Sequence, residues 1–449
     1  MRKSLPKRKI RLRGQILLSI LISIGIFAIL AHALFTLIAS SFDLVNFNRS
    51  RITARHLAQE RIELIRNMPY ADIGTVGGIP DGTIEDEENI VRNGLNFIIK
   101  TTIIYIDDDF NGSGIGNNTD YKRVRVEVSW EGLAASKKNP VVLITDINSQ
   151  GANGATSGGT LVVLVFDANG DPVPQAQVTI VASSIDPPVN STYDTSDEGE
   201  VSLPGAIACD SCYEITVEKT DYSTDRTYST SEVTNPIKPH ASVIEGDITQ
   251  VSFAIDLTGT INISSKDSRV NNFAALGNVP FRLRGNKIIG TNAFGQYVYK
   301  FDQTLSTDGS GNYNLDDAEW DTYSIIMPAL TSYDISGSNP VQPLSLLPSD
   351  TINVIFSVEP HTDHSFLAIV KDPSQNLVAS ASARLFNGGA YDQTLPTGAT
   401  GSADFGQAFF SGLEEKTYNI EATASGYLNF SGSFDVSGYS TGEVVLTPE

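Results

Sequence analysis

Hydrophobic positions along the chain follow three rules in turn. Residues 16–38 contain no Asp, Glu, Lys or Arg, a run that as helix would span a hydrocarbon core of about 30 Å. Further on, Ile52, Leu57, Ala58, Ile62 and Ile65 stand among charged residues at spacings near three and four. That spacing predicts one apolar helical stripe, ended by Pro69. A third rule begins near residue 95, where LNFIIKTTIIYI and YKRVRVEVSW partly alternate apolar with polar residues. Both are rich in β-branched and aromatic side chains and predict strands.

Charge adds a direction to this pattern. Arg2, Lys3, Lys7, Arg8, Lys9, Arg11 and Arg13 precede Gly14, although the whole chain of 449 residues carries −21. A basic tip, an apolar run and an acidic remainder predict a membrane anchor with its N-terminus in the cytoplasm and its bulk at the cell surface. Nucleic acid is not expected as a partner of that bulk, because phosphate binding needs clustered Lys and Arg. A secretory signal peptide is the competing reading, with 16–30 as its apolar core and Ala31-His32-Ala33 as its cleavage site. Continuation of the apolar character through LFTLIASSF argues against it.

The leader KRKIRLRG, the helix start GQILLSILISIGIFAIL and the continuation ARHLAQERIELIRN resemble the N-terminal segment of type IV pilins and type II secretion pseudopilins. The resemblance implies a prepilin peptidase that cuts after Gly14 and methylates Gln15, and other pilin subunits as partners. Gln15 replaces the family's bulky apolar first residue, and Ser19 replaces its usual glutamate. A carboxylate within a bilayer is costly unless paired, and in the family it pairs with a neighbouring subunit's N-terminus. Ser19 offers only a neutral hydrogen bond, for instance to a carbonyl one turn back. On this resemblance the chain would initiate or cap a fibre; the alternative is a single-pass surface anchor that never enters one.

Between the two strands lies DDDFNGSGIGNNTD, in which Asp107, Asp109, Asn111 and Gly112 match the start of a D-x-D-x-N-G calcium loop. Position twelve is Asn118 rather than a bidentate Glu, so a solvated hairpin loop is the favoured reading and a weak Ca²⁺ site the other. No further cofactor is expected.

Beyond a Gly- and Ser-rich linker the chain repeats itself. Three segments, DEGEVSLPGAI, GSGNYNLDDAEW and TGSADFGQAFF, each precede a Tyr-x-Ile strand, at Tyr213, Tyr323 and Tyr418. A threonine-led strand closes every repeat: TQVSFAID, TINVIFSVEP or TGEVVLTPE. Short strands at this spacing predict antiparallel sandwiches. The pattern V-x-D-x-N-G-x-P-V-x-x-A-x-V, over 165–178, resembles carboxypeptidase regulatory-like and collagen-adhesin B-type modules. That implies transthyretin-like sandwiches serving as non-catalytic spacers or as binders of an unknown surface ligand. The lysine of an isopeptide staple is not expected, because Val165 and Val370 stand where it would lie.

Cys209 and Cys212, in ACDSCYEI, are the only two cysteines. A local structural disulfide is expected; free thiols and a redox pair are the alternatives, the last disfavoured because the motif runs into a strand rather than a helix N-terminus. His361 and His364, in HTDH, read as a solvated hinge. Neither a phosphate-binding glycine loop nor a nucleophile elbow appears, and no enzyme activity is expected. The predicted fold class is α+β: a long transmembrane and amphipathic helix with a small antiparallel pilin-like sheet, followed by tandem all-β transthyretin-like or Ig-like sandwiches. The expected divisions are leader 1–14, helix 15–70, β domain 71–146, linker 147–157, and sandwiches 158–257, 258–359 and 360–449.

Overall fold

A computed structural model describes residues 13–106, 121–130, 140–148, 158–389 and 391–449, and within the helix the side chains of 13–24, 26, 28–30 and 43 are outside the description. The helix Arg13–Arg66 runs for 54 residues. Its last turns bury Ala54, Leu57, Ala58, Ile62 and Ile65 against Phe97, Ile99, Ile103, Val124, Val126, Val128 and Trp130. These helix residues recur three or four apart and so share one face. Ile52 falls out of phase with them and is exposed, a correction to the expected stripe. The facing sheet is antiparallel, in the order Glu87–Arg92, Leu95–Ile106, Tyr121–Trp130, Val141–Asn148.

Two observations correct the α+β expectation and its transmembrane helix. Thirty strands stand against this one α-helix among the described residues, so the protein is mostly β. No helix among the described residues is long and apolar enough to cross a membrane. Sandwich-like sheets fit the tandem β part alone.

Alternation along Tyr121–Trp130 places Lys122 on the buried face with Val124, Val126 and Val128. Lys122 Nζ donates to Tyr70 O at 2.8 Å and Ile73 O at 2.5 Å, and it sits 4.6 Å from the Tyr70 ring centre and 5.2 Å from that of Tyr105. Burial pulls its pKa below the ordinary lysine value to about 8, with Asp72 acting in the opposite direction. Because the unfolded chain keeps this proton to higher pH, folding stability should rise as pH increases from 8 toward 10. Denaturant titration at pH 7.5 and 9.5 should show a gain of about 1–2 kcal/mol, and Lys122→Met should remove it. A flat profile in the parent chain would contradict this placement of Lys122. Above pH 10 the phenols of Tyr70 and Tyr105, both pushed up by burial, work the other way.

Three sandwiches follow, each with its own core. The first stacks the sheet Ile248–Ala254, Gly159–Phe166, Glu200–Ala206 on one built from Cys209–Glu218, Gln177–Ala182 and Val189–Asp194. In the second, the sheet Asn312–Ala318, Gly259–Lys266, Thr351–Pro360, Tyr333–Asn339 faces Asp302–Ser306, Pro280–Gly285, Asp321–Ile326, Leu344–Leu346. The third repeats the plan with Gln407–Phe410, Ser365–Lys371, Tyr439–Val445 against Asp392–Pro396, Ser382–Phe386, Lys416–Thr423, Phe430–Val436.

Equivalent side chains recur across the three. Tyr213, Tyr323 and Tyr418 are all buried. Tyr213 and Tyr323 donate their hydroxyls to Ile207 O and Glu319 O, and the Tyr418 hydroxyl accepts from Glu414 N. The buried threonines Thr195, Thr307 and Thr397 accept from the backbone N–H groups of Ala176, Val279 and Ala381. Asp167, Asp308 and Asp372 cap turns by accepting backbone N–H groups further along the chain, the Asx geometry that lets a short polar residue replace strand pairing.

The expected antiparallel sandwich needs correction at one pair in each repeat. The first and last strands run parallel and in register over seven residue pairs: 160–166 with 248–254, 260–266 with 351–357, and 365–371 with 439–445. The chain therefore enters one end of every sandwich and leaves from the other. In the third, this pairing brings Gly442 beneath two rings: a Cβ there would lie 2.6 Å from Phe366 Cζ and 2.7 Å from Phe434 Cε1.

Candidate functional site: the joints between the β units

Each joint between successive β units is built from backbone bonds and buried polar side chains. At the first, the loop over 74–82 enters the core of the first sandwich with Ile79, which is only 4 % exposed. Gly77 O accepts from Asn190 N at 2.8 Å and from Ser191 Oγ at 3.0 Å, and Ile79 N donates to Tyr193 OH at 2.9 Å. Burial drives the Tyr193 phenol up to about 12, so it stays a neutral hydrogen-bonding group. Lys100 and Arg125 approach Asp194 at 3.9 and 3.7 Å.

The second joint is a shared sheet. Asn235–Pro236 of the first sandwich pairs with Ile288–Thr291 of the second, which pairs in turn with Tyr297–Tyr299. Lys300 Nζ donates to Thr224 O at 2.6 Å and to Glu319, and Lys287 Nζ shares that carboxylate at 2.8 Å. A cleft of about 230 Å³ lies here, lined by Tyr228, Ile237, Lys238, Lys287 and Glu319. Burial lowers the Lys287 pKa, and Glu319 beside it works in the opposite direction.

A side chain with no exposure forms the centre of the third joint. Gln407, 0 % exposed, donates Nε2 to Ser338 O at 2.8 Å and accepts at Oε1 from Ser338 N at 3.1 Å. Arg269 donates Nε to Asp404 Oδ2 at 2.7 Å and Nη1 to Pro396 O at 2.5 Å. Asn339 Nδ2 donates to Ser402 O at 3.0 Å. The backbones come so close that a Cβ on Gly337 would lie 2.6 Å from Asp404 Cα. Glu359, half-buried beside this network, has its carboxyl raised by burial, with Arg269 opposing.

Of the histidines expected in a solvated hinge, His361 is exposed, and both make side-chain hydrogen bonds. His361 Nδ1 bonds Asp334 Oδ1 at 2.7 Å, and His364 Nδ1 accepts from Gly438 N at 2.9 Å. Cys209 and Cys212 form a disulfide that packs on the edge of the first core. Gly14, Gln15 and Ser19 lie on the helix backbone, with their side chains outside the described residues. Asp107, Asp109 and Asn111, the calcium-loop candidates, are outside the described residues as well, as is most of the linker 147–157. Among the described residues no group of three or more His, Cys, Asp or Glu is arranged to hold a metal.

Sequence reading missed Gln407, Asp404, Arg269 and Asp334. One signal was available for Gln407, which is a polar residue opening the otherwise apolar strand Gln407–Phe410, all of it buried. Nothing comparable marks Arg269 or Asp334, whose partners lie 135 and 27 residues away.

No family model and no curated protein matches this chain. Among solved structures, the TIE protein of Bacillus anthracis is 12 % identical over 81 % of this chain and 73 % of its own, with a TM-score of 0.19. A streptococcal ancillary pilin is 14 % identical over 65 % of this chain and 99 % of its own, TM-score 0.19. The minor pilin of Streptococcus agalactiae is 10 % identical over 45 % and 96 %, TM-score 0.21. These likenesses are too slight to carry an argument about fold or role. The resemblance to type IV pilins and pseudopilins, and to carboxypeptidase regulatory-like or collagen-adhesin B-type modules, is therefore corrected: no family model supports it, and no helix among the described residues fits a membrane-spanning pilin helix.

Proposed function

We propose that this chain is a surface-displayed, pilin-like structural subunit whose three sandwiches form a tension-bearing stalk. The parallel pairing of first and last strands carries the reading. Tension applied at the two ends of a sandwich pulls those strands past one another, so their evenly spaced, slanted hydrogen bonds are loaded together rather than broken one by one. The joints described above then pass the load from unit to unit. The Cys209–Cys212 disulfide belongs to an oxidising compartment, which supports placement outside the cytosol.

Other subunits are the proposed partners. The helix exposes Leu34, Phe35, Leu37, Ile38 and Phe42, an apolar face that soluble monomers rarely leave uncovered. The role is structural and non-enzymatic, and loops at the free end of the stalk would carry any ligand contact. Protease shaving of intact cells tests the display: peptides from 158–449 should appear in the supernatant before lysis. Release only after lysis would overturn the reading.

A further inference from the structure

At the passage from the second sandwich to the third, the short segment 361–365 meets a buried carboxylate. Asp334, on the strand Tyr333–Asn339 and only 4 % exposed at its side chain, accepts from three groups. These are His361 Nδ1 at 2.7 Å, Thr362 N at 3.2 Å and Ser365 Oγ at 3.0 Å. Three residues after His361, His364 makes a contact of opposite polarity. Its Nδ1 accepts the N–H of Gly438 at 2.9 Å, just before the last strand Tyr439–Val445. We propose that this joint is a proton-sensitive clamp, in which protonation of His361 tightens its hold on Asp334 while His364 ties the same segment to Gly438.

The polarity follows from the partners. A carboxylate acceptor favours the imidazolium form of His361, whereas a backbone N–H can only donate, so His364 Nδ1 must carry a lone pair to bind it. The hydrogen bond to Asp334 raises the His361 pKa, with the Asp334 charge and Asp363 acting the same way. Its contribution is thus complete below pH 6.5 and fades as pH rises through the raised value.

Other charged groups around Asp334 do not reverse this. Tyr439, across on the last strand, is kept neutral chiefly by burial and further by the Asp334 charge. Glu359 is the strand partner of Asp334, and its carboxyl is raised by burial, with Asp267 and Asp404 adding to the rise and Arg269 opposing it. Acidification therefore also relieves repulsion there. The His364 carbonyl is held by Leu413 N at 3.0 Å and Thr362 Oγ1 at 3.1 Å, so the segment is fixed through its backbone as well. The joint is stiffest with His361 charged.

Spin labels on the second and third sandwiches of the full chain test the clamp. From pH 8 to 6 the interlabel distance distribution should narrow, and His361→Asn or Asp334→Asn, each near-isosteric, should abolish the narrowing. A pH-independent distribution in the parent chain, or narrowing that persists in both variants, would overturn the proposal.

Discussion

Gln407→Ala should uncouple the second and third sandwiches while leaving both folded. The substitution strips the buried Ser338 N–H and C=O of their partners, and an orphaned buried backbone group costs about 1–3 kcal/mol. Together the loss comes to about 2–5 kcal/mol, taken from the joint rather than from either core, since Gln407 lies outside both apolar clusters. Denaturant unfolding followed separately in the two sandwiches should change from one shared transition to two, with the third sandwich melting first. Gln407→Met, which keeps the volume, should behave the same way. A single transition at the parent midpoint in both variants would show that the joint carries no coupling.

Phe366→Ala should have the larger effect on a single unit. Phe366 is fully buried on the strand Ser365–Lys371, its ring centre 5.1 Å from that of Phe434, and Gly442 leaves the space it fills. Truncating a buried phenylalanine costs about 3–5 kcal/mol, a large share of the stability of a domain this size. Calorimetry should show the transition shared by the second and third sandwiches moving to a lower temperature, because the joint through Gln407 is kept. Gly442→Ala should act at the same place from the opposite side, by overpacking.

How much of this was legible depends on how local each feature is. The apolar face of the helix near Leu57, Ala58, Ile62 and Ile65 follows from spacing within a few turns. The Tyr-x-Ile strands were visible because a buried tyrosine two residues from a buried isoleucine is a local alternation, and Tyr213 with Ile215, Tyr323 with Ile325 and Tyr418 with Ile420 are all buried. Alternation also places Lys122 inward, although no charge pattern announces that its partners are the Tyr70 and Ile73 carbonyls.

The parallel clamps could not be read. They relate residues 88, 91 and 74 apart, and a strand's own sequence carries no mark of its partner's direction. The joints were hidden for a related reason: Arg269, Asp334 and Asp404 have the composition of solvated surface, and only the fold brings each to its partner. The transmembrane expectation failed differently. It was drawn from uncharged length over 16–38, whereas no helix among the described residues is long and apolar enough to cross a membrane.

Single-molecule pulling tests the central claim most directly. The full chain should be stretched in two geometries: through the ends of the third sandwich, and through one end plus an attachment in the turn after Lys371, so that the second geometry does not load Tyr439–Val445 against Ser365–Lys371. A tension-bearing clamp predicts a clearly higher unfolding force in the end-to-end geometry, and loss of that difference in Ile369→Pro, which removes a backbone donor on the side of the strand that faces Tyr439–Val445. Equal forces in the two geometries would contradict the account.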